Sequence, residues 1–303
     1  MPRGSSWCSR RTPAHLEAFC ELHDMHMNTA RHDVDDVLTH LKQLPVLPRV
    51  LQEVIATFEA ADFDPAALAR KIGQDLGLSA KVLRIANSSF YGLSRRVTSV
   101  QQALVVMGFG SVRSIVLSAG LATIFPKNEP GPFDRCAFWR HSFKVGLYAR
   151  ALAKCLDADP ELSFTAGMFF DLGQLVLDSC LRGSFAAALE RSRRTGEDLI
   201  AIERETMGLD HAEVGAAIAQ RWNFPQPIEV AIRHWRMPQQ APSEPLAGLV
   251  LCANLLEQGL TKPALRDGLP AALWPRVDAS WPCIARNLPE QQQMEDAFRV
   301  MWS

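Results

Sequence analysis

The chain has 303 residues, of which 48% are hydrophobic and 21% are charged, and this is the composition of an ordinary globular protein. Disordered, collagen-like and low-complexity classes are therefore excluded, and the length is sufficient for two domains of about 150 residues. The 32 Lys and Arg residues against 33 Asp and Glu residues leave a net charge of −1, so no global field favours nucleic acid or an anionic membrane as a partner.

The first thirty or so residues form a separate segment. Glu17, Glu21 and Asp24 interrupt any apolar stretch that an export signal would need, and we expect residues 1–33 to be a mobile N-terminal segment. The longest apolar stretch, 115–125, is far shorter than the roughly 20 residues of a membrane helix. The sequence therefore predicts neither export nor a membrane span.

The first lobe is predicted to cover residues 34–125. Its apolar residues recur at helical spacing and no β-branched alternation is evident, so we predict an all-α fold. The pair Asp64-Pro65 predicts a helix start, with Asp as the N-cap and Pro at the first helical position. Thr98 and Gln101 predict a capping box, and Gly108 predicts the end of that helix.

The second lobe is predicted to cover residues 126–262. Three prolines and a glycine at 126–132 interrupt the helical pattern, and we place the boundary between the lobes there. A capping signature at Asp210 puts His211 in the first turn of a helix. The tail, 263–303, carries five prolines, so we expect only short helices in it.

The seven cysteines are scattered and include no CxxC pair. This distribution argues against a disulfide framework and against a structural zinc site. It favours a reducing compartment, and we predict a cytoplasmic protein.

Four side chains that commonly bind metal ions, His141, Asp171, His211 and His234, lie on predicted helices of the second lobe. Taken alone, such residues are more often unrelated core or surface side chains. Their order and local sequence increase their weight, because five segments resemble in turn the landmarks of the HD superfamily of metal-dependent phosphohydrolases. These segments are FWRHS at 138–142, AGMFFDLG at 166–173, DHAEVG at 210–215, HW at 234–235 and VLCAN at 250–254.

Three segments of the first lobe resemble the more specific HDOD family, the HD-related output domains of bacterial signalling proteins. They are LPVLPRV at 44–50, IGQDLGLSAKVLRIANSSFYG at 72–92 and VTSVQQALVVMGFGSVRSIVL at 97–117. The resemblance extends over about residues 36–256. It implies a two-lobed helical HDOD fold whose second lobe is a degenerate HD domain, and a role in bacterial signalling connected with cyclic dinucleotides, motility or stress.

The resemblance also implies a damaged first metal site. In the hydrolases an HD doublet, an upstream His and a downstream Asp hold the first ion. Here the doublet reads Phe170-Asp171 and the downstream acid is replaced by Asn254. A phenyl ring has no lone pair to donate and a neutral amide is a poor ligand for a hard catalytic ion. Only His141 and Asp171 remain at this site.

The second metal site loses one ligand, because its histidine pair reads His234-Trp235. The resemblance leaves Asp171, His211 and His234, a set that would hold a divalent ion weakly. Gln174 also stands where the cyclic-dinucleotide phosphodiesterases of the superfamily have a lysine, which removes a cation for a substrate phosphate. We expect phosphodiester hydrolysis to be lost.

We therefore expect a non-enzymatic regulatory module whose partners are other signalling proteins, with no cofactor beyond a weakly held divalent ion. The alternatives are a weak metal-dependent phosphohydrolase and a sensor of nucleotide or metal in the relic cleft. We expect Phe170 and Trp235 to fill the core. We expect Asp171 to pair with His141 or His211, since an unpaired buried carboxylate is costly.

Overall fold

The computed structural model describes residues 47–60, 63–88, 90–92, 95–125 and 131–302. All regular secondary structure in these ranges is helical, which confirms the predicted all-α fold. The predicted mobile segment 1–33 lies outside the described residues. The proline-rich boundary is described only from residue 131 onward, and the division into lobes at that point stays a prediction.

The first lobe contains five described helices packed around the last of them. They are α1 (Arg49–Ala56), α2 (Pro65–Gln74), α3 (Leu76–Ala86), α4 (Val100–Met107) and α5 (Phe109–Ile124). Helix α5 contacts α1, α3 and α4. Nine consecutive or nearly consecutive residues of α5, from Val112 to Leu121, are buried. A helix that is buried on every face lies in the core of its lobe.

The second lobe is built around a long central helix. Its helices are α6 (Arg135–Ala153), α7 (Pro160–Phe169), α8 (Leu172–Cys180), α9 (Arg182–Thr195), α10 (Leu199–Met207), α11 (His211–Arg221), α12 (Gln226–His234) and α13 (Pro245–Glu257), with a 3-10 turn at Pro238–Gln240. Helix α6 packs on α7 and α13, and α11 packs on α8 and α12. Among the described helices, none combines the length and the apolar character that spanning a bilayer requires.

The tail contains one helix longer than the sequence predicted. Its helices are α14 (Lys262–Gly268), α15 (Trp274–Ala279), α16 (Trp281–Asn287) and α17 (Gln291–Trp302). The expectation of short helices is correct for α14 to α16, but α17 has 12 residues. The last proline is Pro289, so nothing interrupts the amphipathic pattern that buries Met294, Ala297, Phe298 and Met301 on one face.

Aspartate side chains cap many of these helices. The carboxylate of Asp64 accepts a hydrogen bond from the backbone N–H of Ala66, as predicted. Asp210 and Glu213 form the predicted capping box, and His211 is the first residue of α11. Four further helices begin at an aspartate whose side chain accepts from the first turn, namely at Asp75, Asp134, Asp159 and Asp198.

The capping box predicted at Thr98 is wrong by one residue. Ser99 is the N-cap of α4, and its hydroxyl oxygen accepts from the N–H of Gln102 at 3.1 Å. The Gln102 side chain in turn accepts from the N–H of Thr98. Both registers satisfy the three-residue spacing, and the observed one places Val100 and Ala103 in the core. Gly108, with a φ of 82°, ends the helix as predicted.

One pair of the scattered cysteines is joined. Cys155 and Cys283 form a disulfide with Cα atoms 5.8 Å apart, and 128 residues separate them in sequence. A cysteine motif contains only residues that lie close together in sequence, and motif spacing therefore did not predict a pair 128 residues apart. The other described cysteines are free: Cys180 and Cys252 are buried and Cys136 is exposed.

Candidate functional site

Six of the residues that resemble the HD landmarks converge in the second lobe. His141 lies on α6, Asp171 immediately precedes α8 without a side-chain capping bond, and His211 is the first residue of α11. Because α6 packs on α13 and α8 packs on α11, the fold brings these positions together. We call this group the relic cluster, and its members are His141, Phe170, Asp171, His211, Trp235 and Asn254.

Two glycines set the distance between α8 and α11. A Cβ atom at Gly173 would overlap the carbonyl oxygen of His211 and would lie 2.8 Å from the backbone nitrogen of Gly215. A Cβ atom at Gly215 would lie 2.9 Å from the backbone nitrogen of Gly173. Backbone cannot withdraw as a flexible side chain can, so only glycine fits at either position. This close approach places His211 beside Asp171.

His211 is fully buried between two carboxylates. Its Nε2 lies 3.6 Å from Oδ1 of Asp171, so the predicted pairing of Asp171 with a histidine is an ion-pair contact that is too long for a hydrogen bond. Its Nδ1 lies 2.7 Å from Oε2 of Glu203, which also accepts the backbone N–H of His211. Burial acts to lower the pKa of His211, but the charge and hydrogen bond of Glu203, helped by Asp171, outweigh burial and raise it.

Asp171 has one satisfied and one unsatisfied oxygen. The amide of Gln174 donates to Oδ2 at 2.9 Å. Oδ1 has no hydrogen-bond partner among the described residues, and the same holds for Nε2 of His211 and Oδ1 of Asn254. The side-chain amide of Gln174 is therefore already bound to Asp171. Oδ1 of Asp171 can still accept a hydrogen bond.

His141 pairs with Glu257 and not with Asp171, which was one of the two predicted options. Its Nδ1 lies 2.7 Å from Oε2 of Glu257 on α13. Burial acts to lower the pKa of His141, but the hydrogen bond and charge of Glu257, followed by Asp171 and Asn254, raise it above the ordinary histidine value. Glu257 follows Asn254 by three residues on one helix, so both lie on the same helix face. This spacing could have identified Glu257 as a residue near the site.

Phe170 and Trp235 fill the space beside these histidines, as predicted. The Phe170 ring is completely buried and the Trp235 side chain nearly so. Their centroids are 4.8 Å apart at an interplanar angle of 79°, and Phe170 also lies edge to face with His141 at 5.7 Å. Such edge-to-face contacts are favourable aromatic packing. Phe170 thus lies between His141 and Trp235.

His234 stands apart from the relic cluster. It is half-exposed at the end of α12, and in the described part of the chain no hydrogen bond or ion pair connects it to Asp171 or His211. No three His, Cys, Asp or Glu residues among those described lie together in a way that could hold a metal ion. The residues present do not fit the metal centre of the hydrolases. Weak binding of a divalent ion in solution stays a prediction.

Sequence comparisons relate this chain to known proteins. A family model of the HDOD domain matches residues 44–238. An uncharacterized protein from Treponema pallidum (strain Nichols) is 26% identical over 245 residues, which is 78% of this chain. The chain spans 46% of the length of that relative.

Solved structures with the same fold come from several bacteria. A Shewanella amazonensis protein described provisionally as a phosphohydrolase has a TM-score of 0.72 at 25% identity, covering 88% of this chain and 97% of that one. An HDOD domain protein of unknown function from Geobacter sulfurreducens has a TM-score of 0.66 at 22% identity, covering 89% and 94% of the two chains. At 22% identity, the likeness to the Geobacter protein shows the fold alone.

Proposed function

This chain belongs to the HDOD domain family, and we propose that it is a non-enzymatic regulatory module that acts by binding other signalling proteins. We place it in bacterial signal transduction in the cytoplasm, in a pathway connected with cyclic dinucleotides, motility or stress. The description of the Shewanella protein as a phosphohydrolase makes phosphate-ester hydrolysis the rival function. The relic cluster supports regulation over hydrolysis.

The observation that carries the proposal is the position of Phe170. The resemblance puts this residue where the hydrolases have a histidine ligand, and its ring is buried between His141 and Trp235. A phenyl ring supplies no lone pair, and its volume excludes an ion from the place that it fills. The Nδ1 atoms of His141 and His211 are bound to Glu257 and Glu203, and Nε2 of His211 faces Asp171 at 3.6 Å.

A second argument concerns the substrate. Hydrolysis of a phosphodiester needs positive charge near the phosphate, supplied by metal ions or by basic side chains. At the position next to Asp171 this chain offers the neutral amide of Gln174, and that amide already donates to Asp171. The residues of the relic cluster therefore give a phosphate no cation other than a protonated histidine.

An assay of the purified full chain tests the loss of hydrolysis. We expect rates no higher than background on cyclic dinucleotides and on bis(p-nitrophenyl) phosphate with magnesium, manganese or iron(II), because Phe170 and Asn254 remove ligands from the first site. The matched control is Asp171→Ala, purified in the same way. Turnover by the wild type that disappears in Asp171→Ala would show a working metal site and would reject the proposal.

Binding to a partner needs its own experiment. The tagged full chain is used to capture proteins from the native cell, and each candidate is then purified and titrated against the chain by calorimetry. We expect a stoichiometric complex with a signalling protein at micromolar affinity or better, about −8 kcal/mol or more. Absence of any such complex, with a folded chain, contradicts a role through protein binding.

A second candidate function, a sensor of a small ligand, is favoured by the unpartnered polar atoms of Asp171, His211 and Asn254. Buried polar atoms usually bind a protein group, water or a ligand. A thermal-shift series with nucleotides and divalent ions tests this candidate. A sensor requires a rise in Tm that saturates with ligand and is lost in Asp171→Asn, whereas a flat series for both proteins removes the sensor from consideration.

A further inference from the structure

The disulfide lies where reductants can reach it. Cys155 follows the end of α6 and Cys283 lies in α16, and both side chains are half-exposed. Two of the free cysteines are poor competitors in thiol exchange, because burial raises the pKa of Cys180 and of Cys252 to about 12. At neutral pH these two stay protonated, and the thiolate is the attacking species. Exchange at this site is thus open to thiols from solution.

The chain that follows Cys283 forms α17, which lies across both lobes. Helix α17 contacts α3 of the first lobe and α6 of the second. Polar contacts with α6 fix its position: Nζ of Lys144 lies 2.6 Å from Oε1 of Glu295, and the amide of Gln291 donates to the hydroxyl of Tyr148 at 2.9 Å. The helix therefore acts as a brace between the lobes.

The underside of α17 is aromatic and covers an aromatic face of α6. Phe143 of α6 lies 5.7 Å from Trp302 and 6.2 Å from Phe298 between ring centroids. Trp139 of α6 lies 6.0 Å from Trp302. All four of these rings are buried or mostly buried while α17 is docked. Departure of α17 would expose a large apolar surface on α6.

We propose that the Cys155–Cys283 disulfide is a redox-sensitive latch that holds α17 across the two lobes, and that reduction by a dithiol weakens this docking. A thiolate of the dithiol attacks one sulfur and breaks the S–S bond, giving a mixed disulfide and one cysteine thiolate. The second thiol of the reductant then closes its own disulfide and releases the other cysteine. The dithiol loses two electrons and two protons, and the two cysteines end as thiols.

The latch acts by setting the length of the tether. With the disulfide closed, α17 is connected to a fixed point through residues 284–290. With the disulfide open, the burial of Ile284 and the contact of α16 with α6 still hold α16 in place. When that packing also opens, the tether extends from the end of α13 through residues 258–290. Effective concentration falls roughly as the −3/2 power of tether length, so docking of α17 weakens by up to about ten-fold. In the reducing cytoplasm that the sequence predicts, the latch is open at rest, and exchange with a small-molecule disulfide, which takes up the two electrons and two protons, closes it by the reverse steps.

Amide hydrogen exchange of the full chain tests the latch. Peptide mapping without reductant first measures the Cys155–Cys283 crosslink in the air-oxidised protein. Exchange in residues 291–302 is then compared before and after incubation with dithiothreitol. We expect exchange there to accelerate by about ten-fold on reduction, while exchange in α11, far from the tail in sequence, stays unchanged.

Two variants separate the latch from other effects of the thiol reagent. Cys283→Ser should show the fast exchange of α17 even under oxidising conditions, and Cys136→Ser, which removes an exposed free cysteine of α6, should behave as wild type. Absence of the crosslink overturns the proposal, as does equal exchange of α17 in the oxidised and reduced proteins. Faster exchange through the whole chain also overturns it, because the disulfide would then stabilise the fold and not one helix.

Discussion

At the scale of single residues, two carboxylates organise the relic cluster, the buried Glu203 and the partly exposed Glu257. Glu203 and Glu257 each lie 2.7 Å from the Nδ1 atom of a histidine, His211 and His141 respectively. In metalloproteins an outer carboxylate commonly orients a ligand histidine through the same contact. This chain has contacts of the same kind, although Phe170 fills the space beside His141. The histidines are fixed by acids and packing together.

Removal of the Glu203 side chain should therefore be costly. Glu203→Ala leaves His211 buried without its closest partner, and we expect the free energy of unfolding to fall by about 3–5 kcal/mol. The matched control is Glu205→Ala on the same helix, whose 62% exposed side chain pairs with Arg191 and should contribute less than about 1 kcal/mol. Urea unfolding followed by circular dichroism measures both. Similar losses for the two variants would show that the buried pair contributes no more than a surface pair.

The sequence predicted the packing residues of the site better than its polar partners. Phe170 and Trp235 are apolar on helices of a core, and burial is the common outcome for such residues. Glu203 and Glu205 are two residues apart in one helix, and nothing local distinguishes the fully buried acid from the exposed one. The difference arises when α10 meets the start of α11. Such long-range packing is absent from the local pattern.

At the scale of helices, the glycine contact between α8 and α11 determines how the cluster assembles. The backbones of Gly173 and Gly215 are close enough that neither position accepts a Cβ atom. The spacing of apolar residues along the chain indicates that helices form, but it does not indicate how closely the axes of two helices approach. The register of α4 shows the same limit, since Thr98 and Ser99 both satisfied the capping pattern and only core packing selected Ser99.

A pair of alanine substitutions tests this contact. Gly173→Ala forces the α8 and α11 backbones apart, and we expect it to lower the free energy of unfolding by about 3 kcal/mol and to disturb His211. Gly183→Ala lies on the exposed surface of α9 with no heavy atom near its new Cβ, and it should stabilise the chain by up to about 1 kcal/mol. Chemical denaturation of both variants gives the comparison. A harmless Gly173→Ala would mean that the two helices separate freely.

At the scale of the whole molecule, a buried polar junction joins the lobes. The carboxylate of Glu161 on α7 accepts from the hydroxyls of Ser111 and Ser114 on α5. Arg150 donates to the same carboxylate at 2.7 Å and lies over the Phe164 ring. Together with α17 this junction gives two separate connections between the lobes. We expect the lobes to unfold as one cooperative unit.

Two proline substitutions in α3 test that cooperativity. Leu83→Pro breaks the middle of a helix that contacts both α5 and α17, and it should destabilise the whole chain by about 3 kcal/mol or more. Leu76→Pro is the control, because Leu76 is the exposed first residue of α3, where proline is tolerated. Scanning calorimetry should show one transition for each protein, lowered only in Leu83→Pro. A second transition from an intact second lobe would show that the lobes melt independently.

The buried ring of Phe170 affects how much of the protein is folded in the cell. The folded population of a protein stabilised by a bound solute follows the free concentration of that solute. The Phe170 ring is part of the chain, so the free energy that it contributes is the same at every concentration of every ion. A chelator or a starved growth medium leaves that contribution untouched. The part of the folded stability that Phe170 supplies therefore stays constant while the metal content of the cell varies.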